Sequence, residues 1–432
     1  MIADPMENDE YMTVPVPSSA NMAWWRIAAM SSIFSLSLPT FISGLELAHA
    51  STSRNFMLGS LAGGALLAVI AGSMGAVGSL TRQSSYMLTR IAFGSRGSVL
   101  VNVSFALSLI GWFGVNINLF SDAIDRLLGA YAIYEGPAWP IELIGGSLMT
   151  ATTVIGLRAI DRLSLVLAPL LLVVCALMLL SILHIGSLQA VLSRSPTTGL
   201  SLGDVISAVV GVLVVGAVTA PDLTRFLQHW CGAIAAAGVT YVASNTLVTT
   251  IGGLAGLATG RADMLTLMIA IGLGWGAFVT VIGGSWIVNA LNLYSSVLSI
   301  ATSAPKARRG LVTLCCGAGG TFAAFFNILD HFVTFLFYLS IIFVPVAGIV
   351  VIDILCLRRS AYFADRAAGT LPRYQWSAIA SWVLGAGVAI AASEGLVTLT
   401  RVAALDAILA GAMARLAIGR VFKTHEQTSA AA

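Results

Sequence analysis

A tryptophan in the middle of an apolar stretch is the first residue whose chemistry stands out. Trp112 lies in the segment Ile110-Gly-Trp-Phe-Gly114, near the centre of the stretch 98–122. Aromatic side chains of membrane proteins usually gather at the water interfaces, so a central tryptophan between glycines needs another reason. Its ring face suits stacking on a flat heterocycle. Packing inside a helix bundle explains the residue equally well, so both interpretations stay open.

Two asparagines form a second pattern. Asn289 and Asn292 are three residues apart, in a stretch that also carries Trp286 and Tyr294, and such spacing places both amides on one helix face. Amides inside a membrane find hydrogen-bond partners either on a neighbouring helix or in a wet cavity. The pair therefore fits interhelical packing or contact with a ligand.

Acid–base and metal chemistry have little support. The five cysteines form no CxxC pair, and the five histidines show no ligand spacing. The chain has no Walker loop and no GxSxG or HExxH pattern. We expect no enzyme activity, no catalytic residues, no bound metal and no cofactor. Five carboxylates lie near the ends of apolar stretches: Asp122, Glu142, Asp204, Asp222 and Asp353. Asp406 lies deeper, inside the last apolar stretch.

None of these carboxylates forms an acidic pair that could relay protons at the membrane centre. Asp353 comes shortly before Arg358 and Arg359, so we expect a salt bridge at that end of its helix.

The composition identifies the environment of these residues. Of 432 residues, 58% are hydrophobic and 9% are charged, with a mean hydropathy of +0.93. Ordinary soluble domains carry about 25% charged residues. Apolar runs such as Leu163 to Leu183 reach the length of about 20 residues that spans a bilayer as a helix. A β-barrel would instead show short alternating segments. The net charge of +3 gives no reason to expect nucleic acid as a partner.

Apolar windows between polar breaks predict about twelve transmembrane helices. The windows are 24–46, 55–79, 98–122, 139–157, 163–184, 204–221, 233–258, 274–302, 310–328, 332–356, 376–393 and 399–419. With an even number of spans and the N-terminus inside, seventeen Lys and Arg residues fall on the cytoplasmic side and five outside. The positive-inside rule therefore places both termini in the cytoplasm of a bacterial inner membrane. The first ten residues are acidic and polar, unlike a signal peptide, so we expect the first span to be retained.

Two of the windows contain helix breakers. Pro39 interrupts the first span and disfavours helical geometry at Leu38. Gly216 and Pro221 interrupt the sixth. Broken helices in corresponding positions of two halves are typical of inverted-repeat transporters with a substrate site near the midplane. Glycine and proline are also frequent in ordinary transmembrane helices.

Several motifs, in order along the chain, resemble the nucleobase:cation symporter-1 family in its bacterial cytosine permease branch. The segment around Trp112, Ile110-Gly-Trp-Phe-Gly-Val-Asn, resembles the family's third span. The other similar segments are Pro15-Val-Pro-Ser-Ser-Ala, Leu88-Thr-Arg-Ile-Ala-Phe-Gly-Ser-Arg-Gly-Ser98, Thr219-Ala-Pro-Asp-Leu-Thr-Arg-Phe226 and Val346-Ala-Gly-Ile-Val-Val-Ile-Asp353.

This resemblance implies an all-α, leucine-transporter-like fold of two inverted five-helix repeats plus two C-terminal helices. It implies alternating access and a flat heterocyclic substrate held between spans one, three, six and eight. The implied organisation is an N-terminal tail 1–23, repeats 24–184 and 204–356, two further helices 376–419 and a C-terminal tail 420–432.

The implied site departs from the family's pattern. Trp112 matches the stacking aromatic, but Leu109, Leu213, Val215 and Gly284 stand where cytosine permeases carry polar or aromatic groups. Ser37 and Gly216 at the two breaks complete the expected substrate site. Most hydrogen-bonding groups for cytosine are therefore missing, and we expect poor cytosine transport.

The sequence also leaves open whether the coupling cation is sodium or a proton. Ile287 and Val288 replace the hydroxyl residues that the family associates with sodium, and Asn289 alone matches. We expect weak sodium dependence, since two aliphatic side chains offer the ion no oxygen.

Two functions remain open from the sequence. One is a secondary-active permease for a nucleobase, hydantoin or allantoin-like compound. The alternative is a membrane receptor or scaffold that retains the permease fold without transport. Substrate, coupling and oligomeric state cannot be read from the residues.

Overall fold

In the computed structural model of the protein, the described residues are mostly helical. It describes residues 11, 14–130, 136–155, 157–185, 199–259, 268, 274, 276, 279–304, 307–326, 332–363 and 371–430. The first half contains α1 (Trp24–Ser35), α2 (Leu38–Ala50), α3 (Ser53–Thr81), α4 (Ser85–Phe93), α5 (Gly97–Ala130), α6 (Trp139–Ile155) and α7 (Leu157–Ile185).

The second half repeats this succession of long helices, with three π-helical segments. It contains α8 (Leu202–Val218), α9 (Pro221–Thr224), α10 (Trp230–Ala237), the π-helix Gly238–Asn245, α11 (Thr246–Thr259), the π-helix Val279–Gly284, α12 (Ser285–Ser303), α13 (Arg309–Ala324), α14 (Phe332–Ile352), the π-helix Asp353–Leu357 and α15 (Arg359–Phe363). Two further helices follow, α16 (Trp376–Ser393) and α17 (Ala403–Ala430).

Each of the twelve predicted windows coincides with helical residues. Among the described residues, six helices are long and apolar enough to cross a membrane, or seven when α1 and α2 count as one bent span. The remaining windows correspond to shorter or partly described helices, which is consistent with twelve spans.

The first span is broken, but two residues earlier than Pro39. Helices α1 and α2 meet at an angle of 51°. Leu36 ends α1, and Ser37 is extended, with φ −93° and ψ 162°. Leu38, where the sequence predicts the break, is already helical. Pro39 lies in the first turn of α2, where a missing N–H costs no hydrogen bond.

The predicted break in the sixth span is wrong at Gly216. This residue lies inside α8, and residues 202–224 form one span without a sharp bend. The helix yields only at Thr219 and Ala220, just before Pro221 begins α9. Glycine lowers helix propensity but removes no hydrogen bond, whereas proline does remove one.

Glycines bring four spans into one tightly packed group, made of α1–α2, α3, α8–α9 and α10–α11. A Cβ atom at Gly44 would overlap the backbone oxygen of Thr249, and one at Gly252 would overlap that of Phe41. Helices α2 and α11 therefore cross with their backbones in contact, a spacing that small residues permit. We call these helices the first group.

A second group consists of α5, α6, α12 and α13. Here a Cβ atom at Gly146 would overlap the Thr321 hydroxyl, and one at Gly317 would overlap the Thr150 hydroxyl. Because close packing is internal to each group, the boundary between the two is the place where a cavity can open.

Asp353 ties the end of α14 to two other parts of the chain. Its buried carboxylate accepts hydrogen bonds from Arg358 and from the 1% exposed Arg415 of α17, both at 2.5 Å. Tyr362 donates a third at 2.8 Å. Arg358 also donates to the backbone oxygens of Ile91 and Ala92 at the end of α4. The predicted salt bridge to Arg358 is confirmed, whereas the Arg359 guanidinium lies over the Phe363 ring.

Candidate functional site

A small cavity lies at the break of the first span, between the two helix groups. It is bordered by spans one, three, six and eight, the four spans expected to form the site. Its lining residues are Phe34, Ser37, Pro39, Trp112, Asn116, Val212, Leu213, Val215, Gly216, Val288 and Asn292. We call this space the central cavity.

Five of the expected substrate residues meet there: Ser37, Trp112, Leu213, Val215 and Gly216. Ser37 is the extended residue of the break, and its hydroxyl donates to the backbone oxygen of Phe34 at 2.7 Å. Trp112 reaches the same space from the middle of α5. Leu213, Val215 and Gly216 lie within about one turn of α8, so this helix contributes an aliphatic wall to the cavity.

Leu109 and Gly284 lie outside this lining. Leu109 is buried in the packed core and does not line the cavity, although it lies about one turn before Trp112 on the same side of α5. Gly284 ends a π-helical segment, and a Cβ there would come within 3.9 Å of the Leu36 oxygen and of Ser37. It borders the backbone of the break but not the cavity.

Asn289 also points away from the central cavity. Its amide nitrogen donates to the backbone oxygen of Phe113 and to the sulfur of Met149, both at 3.2 Å. The side chain therefore joins α12 to α5 and α6 inside the second group. This contact is the interhelical packing that the sequence left open.

Asn116 is a site residue that sequence reasoning overlooked. It is fully buried, and its amide nitrogen donates to the backbone oxygen of Trp112 at 2.8 Å. Its amide oxygen has no hydrogen-bond partner among the described residues, and Asn116 is part of the cavity lining. The signal was present, since Asn116 follows Trp112 by four residues, one turn along the same helix face. Asn292 presents a second amide from α12.

The central cavity is nearly closed in this conformation. Its volume is about 30 Å³, which accommodates water but no heterocycle. A second space of about 30 Å³ begins on the other side of Phe34 and Gly216 and is lined by Ser31, Thr219 and Asp222, among others. The two spaces share Phe34 and Gly216 as lining residues, and the second lies nearer the start of α1. We call that end of the molecule the α1 side.

Polar contacts between the groups close the α1 side. Buried Asp222 accepts hydrogen bonds from the Ser85 amide at 2.9 Å and the Ser295 hydroxyl at 3.1 Å. Arg225 donates to the Tyr294 hydroxyl at 3.1 Å and to the backbone oxygen of Tyr11 at 2.7 Å. Together they tie α9 to α12, to the start of α4 and to the N-terminal segment.

A salt bridge between Arg26 of α1 and buried Asp161 of α7 adds to this closure. Opening a path from the α1 side requires these contacts to separate.

Two backbone oxygens at the break accept hydrogen bonds from within the first span. The backbone oxygen of Phe34 accepts from the Ser37 hydroxyl, and that of Ser32 accepts from the Leu36 amide at 2.8 Å. Ile287 and Val288 are buried, and their side chains contain no oxygen. Carbonyl groups of a broken helix coordinate cations in this type of transporter, and here two of them are already hydrogen-bonded.

Known proteins share both the sequence pattern and the architecture. Residues 29–413 match the family described as permeases for cytosine/purines, uracil, thiamine and allantoin. The cytosine permease of Escherichia coli K12 is 28% identical over 98% of this chain and 97% of its own length. The corresponding protein of Escherichia coli O157:H7 gives the same identity and coverage.

Among solved structures, a nucleobase-cation-symport-1 family transporter in a closed conformation with bromovinylhydantoin bound superposes with a TM-score of 0.81. It shares 17% sequence identity, and the match covers 95% of this chain and 94% of that one. The inward-facing conformation of the same transporter gives 0.79 at 18% identity, covering 98% and 95%. A Na⁺-coupled sialic acid symporter gives 0.68 at 14% identity, covering 96% and 92%.

These likenesses confirm the predicted fold class, an all-α membrane protein with a leucine-transporter-like inverted repeat. With a family match over most of its length, the chain belongs to the nucleobase:cation symporter family of permeases for cytosine, purines and related compounds.

Proposed function

We propose that this protein is a secondary-active transporter that carries a nucleobase or a related planar heterocycle across the bacterial inner membrane by alternating access. The observation that supports it most is the central cavity. There Trp112 and Asn116 line one space together with aliphatic side chains of α8, and the Asn116 amide oxygen has no hydrogen-bond partner among the described residues.

Each part of the cavity suits one feature of a flat ring. The Trp112 indole offers a stacking face. The amides of Asn116 and Asn292 offer hydrogen bonds to a ring edge, and the free oxygen of Asn116 accepts an N–H group. Val212, Leu213 and Val215 face the remaining edge and leave polar ring atoms there without partners.

We therefore propose a heterocycle with one hydrogen-bonding edge and one apolar edge, such as a substituted hydantoin or purine. Cytosine, which is polar around most of its ring, is expected to be a poor substrate because buried polar groups without partners are costly. Weak sodium dependence is part of the same proposal, since the residues at the break leave the ion few oxygens.

Binding to the purified protein tests this function. We expect at least one compound from a panel of cytosine, uracil, purines, allantoin and hydantoins to raise the thermal unfolding temperature. Trp112→Ala should weaken that binding at least several-fold, because the stacking contribution of roughly 0.5–1.5 kcal/mol and the buried ring area are both lost. Trp376→Ala, which removes an exposed tryptophan of α16, is the matched control. Unchanged affinity in a well-folded Trp112→Ala protein would assign Trp112 a packing role.

The orientation of the chain is a second part of the proposal. With both termini in the cytoplasm, single cysteines at exposed Arg96 and Ala307 should react with an impermeant maleimide only after the cells are opened. A cysteine at exposed Leu396 should react in intact cells. Three native cysteines are exposed, Cys231, Cys315 and Cys356, so a variant without them is the background. Labelling of Arg96→Cys in intact cells would contradict this orientation.

A further inference from the structure

A larger cavity lies on the opposite side of the molecule, where α2 ends and α8 begins. Its volume is about 450 Å³, within the range of small-molecule sites. The walls come from α2, α8, α14, α16 and the loop before α17. We call it the outer cavity, because the proposed orientation places it on the periplasmic side.

Glu46 of α2 borders the outer cavity. It is the ninth residue of α2, so it lies about 12 Å along the helix from the break, given a rise of 1.5 Å per residue. Half of the hydrocarbon core measures about 15 Å, which leaves Glu46 at membrane depth. In the sequence, this carboxylate is the last residue of the predicted window 24–46.

Nothing in the described part of the chain neutralises Glu46. No hydrogen bond or ion pair to another described residue involves its carboxylate, and its side chain is exposed towards the cavity. Two other charged side chains border the same space, Asp204 and Arg401. Asp204 is occupied as the cap of α8, accepting from the Ser201 amide at 3.0 Å and its hydroxyl at 2.6 Å.

Arg401 lies on a loop that the structure fixes in place. Asp406 accepts hydrogen bonds from the backbone amides of Leu399 at 3.0 Å and Thr400 at 2.8 Å. This deep carboxylate therefore holds the loop before α17 and is not assigned to a transport path. The Arg401 backbone packs against Gly203, where a Cβ would overlap it. Helix α11 (Thr246–Thr259), which packs against α2, has no titratable residue. On α2 itself, His49 lies about one turn after Glu46.

Helix α2 connects this carboxylate to the central cavity. Its first residues, with Ser37 and Pro39, border the central cavity, and its last turns border the outer one. A movement of α2 towards α8 that closes the outer cavity would also take water away from Glu46. An ionised carboxylate without a partner is costly at membrane depth, so closure favours a neutral side chain.

We propose that Glu46 binds the proton that couples transport, an inference that rests on the proposed function. A proton from periplasmic water bonds to a carboxylate oxygen and gives the neutral acid while the outer cavity is open. The same proton leaves to cytoplasmic water after the α1 side opens and the heterocycle is released. A proton needs one carboxylate, whereas sodium needs several oxygens, which Ile287 and Val288 do not supply.

The test uses the full-length protein in proteoliposomes with the pH dye pyranine inside. The substrate is the panel compound with the largest thermal shift. For the parent protein we expect an acidic exterior to raise accumulation at least ten-fold over equal pH, and substrate entry to acidify the lumen. For Glu46→Gln, the ratio of accumulation driven by the pH gradient to exchange of labelled substrate should fall at least ten-fold. Glu394→Gln, which removes an exposed carboxylate at the end of α16 outside the cavity lining, should behave like the parent.

Three results would overturn the coupling proposal: gradient-driven accumulation by Glu46→Gln equal to the parent's, substrate entry without acidification of the lumen, or stimulation by a sodium gradient alone. The pyranine measurement needs only the parent protein, so it decides the question even if Glu46→Gln does not reach the membrane. Glu46→Asp, which keeps a carboxylate, should restore the response to pH. Failure of every panel compound to bind would instead contradict the proposed function.

Discussion

Replacing Asn116 by leucine is expected to weaken substrate transport roughly 5- to 150-fold, since an unpaired buried polar group costs about 1–3 kcal/mol. Leucine fills a similar volume, but the N–H group of the heterocycle loses the amide oxygen of this cavity-lining residue as an acceptor. The own-helix hydrogen bond to Trp112 is lost as well, so protein abundance must be measured beside uptake. The decisive quantity is kcat/KM for uptake per folded transporter.

Ser108→Ala is the matched control for Asn116→Leu. It removes another buried polar atom without a partner from the same helix, but Ser108 does not border the cavity. We expect its uptake to equal that of the parent. Equal kcat/KM in Asn116→Leu and Ser108→Ala would show that the Asn116 amide does not contact the substrate.

Asp353→Ala is expected to destabilise the fold by about 3–5 kcal/mol, the usual consequence of breaking a buried ion pair from one side. The substitution leaves Arg415 almost completely buried without its anion and removes the acceptor of Arg358 and Tyr362. The junction of α4, α14 and α17 should then loosen. Much lower yield of monodisperse protein and a large fall in unfolding temperature are the expected results.

The double variant Asp353→Leu with Arg415→Met separates charge from shape at this junction. Replacing two partners of a buried pair by apolar side chains usually costs far less than removing one, so the double variant should be more stable than Asp353→Ala. Glu394→Ala, at an exposed carboxylate, controls for loss of charge alone. Normal yield and stability of Asp353→Ala would show that this network does not hold the three helices together.

The spans could be predicted from the sequence because apolar length alone defines them. The first break could be predicted only approximately. Proline is found in the first turn of a helix as well as after its end, and here Pro39 lies in the first turn of α2 while the extended residue is Ser37. At Gly216 the prediction was wrong, because glycine lowers helix propensity without removing a hydrogen bond and an intact helix tolerates it.

The candidate site was predicted at the level of helices rather than side chains. Trp112 could be predicted because an aromatic side chain at mid-span is unusual. Asn116 and Asn289 have the same side chain, so the sequence could not show which of them lines the cavity. One borders the central cavity, and the other donates to Phe113 and Met149. Glu46 was missed because a window boundary says nothing about the direction in which a side chain points.

Uptake by the purified protein in proteoliposomes is the most direct measurement of the central claim. For the panel compound that binds best, we predict saturable uptake that is accelerated by the same unlabelled compound inside, as alternating access requires. Trp112→Ala and Asn116→Leu should both reduce it. Tight binding of the compound with no uptake above empty liposomes, under proton or sodium gradients, would contradict the account and indicate a receptor that has the permease fold.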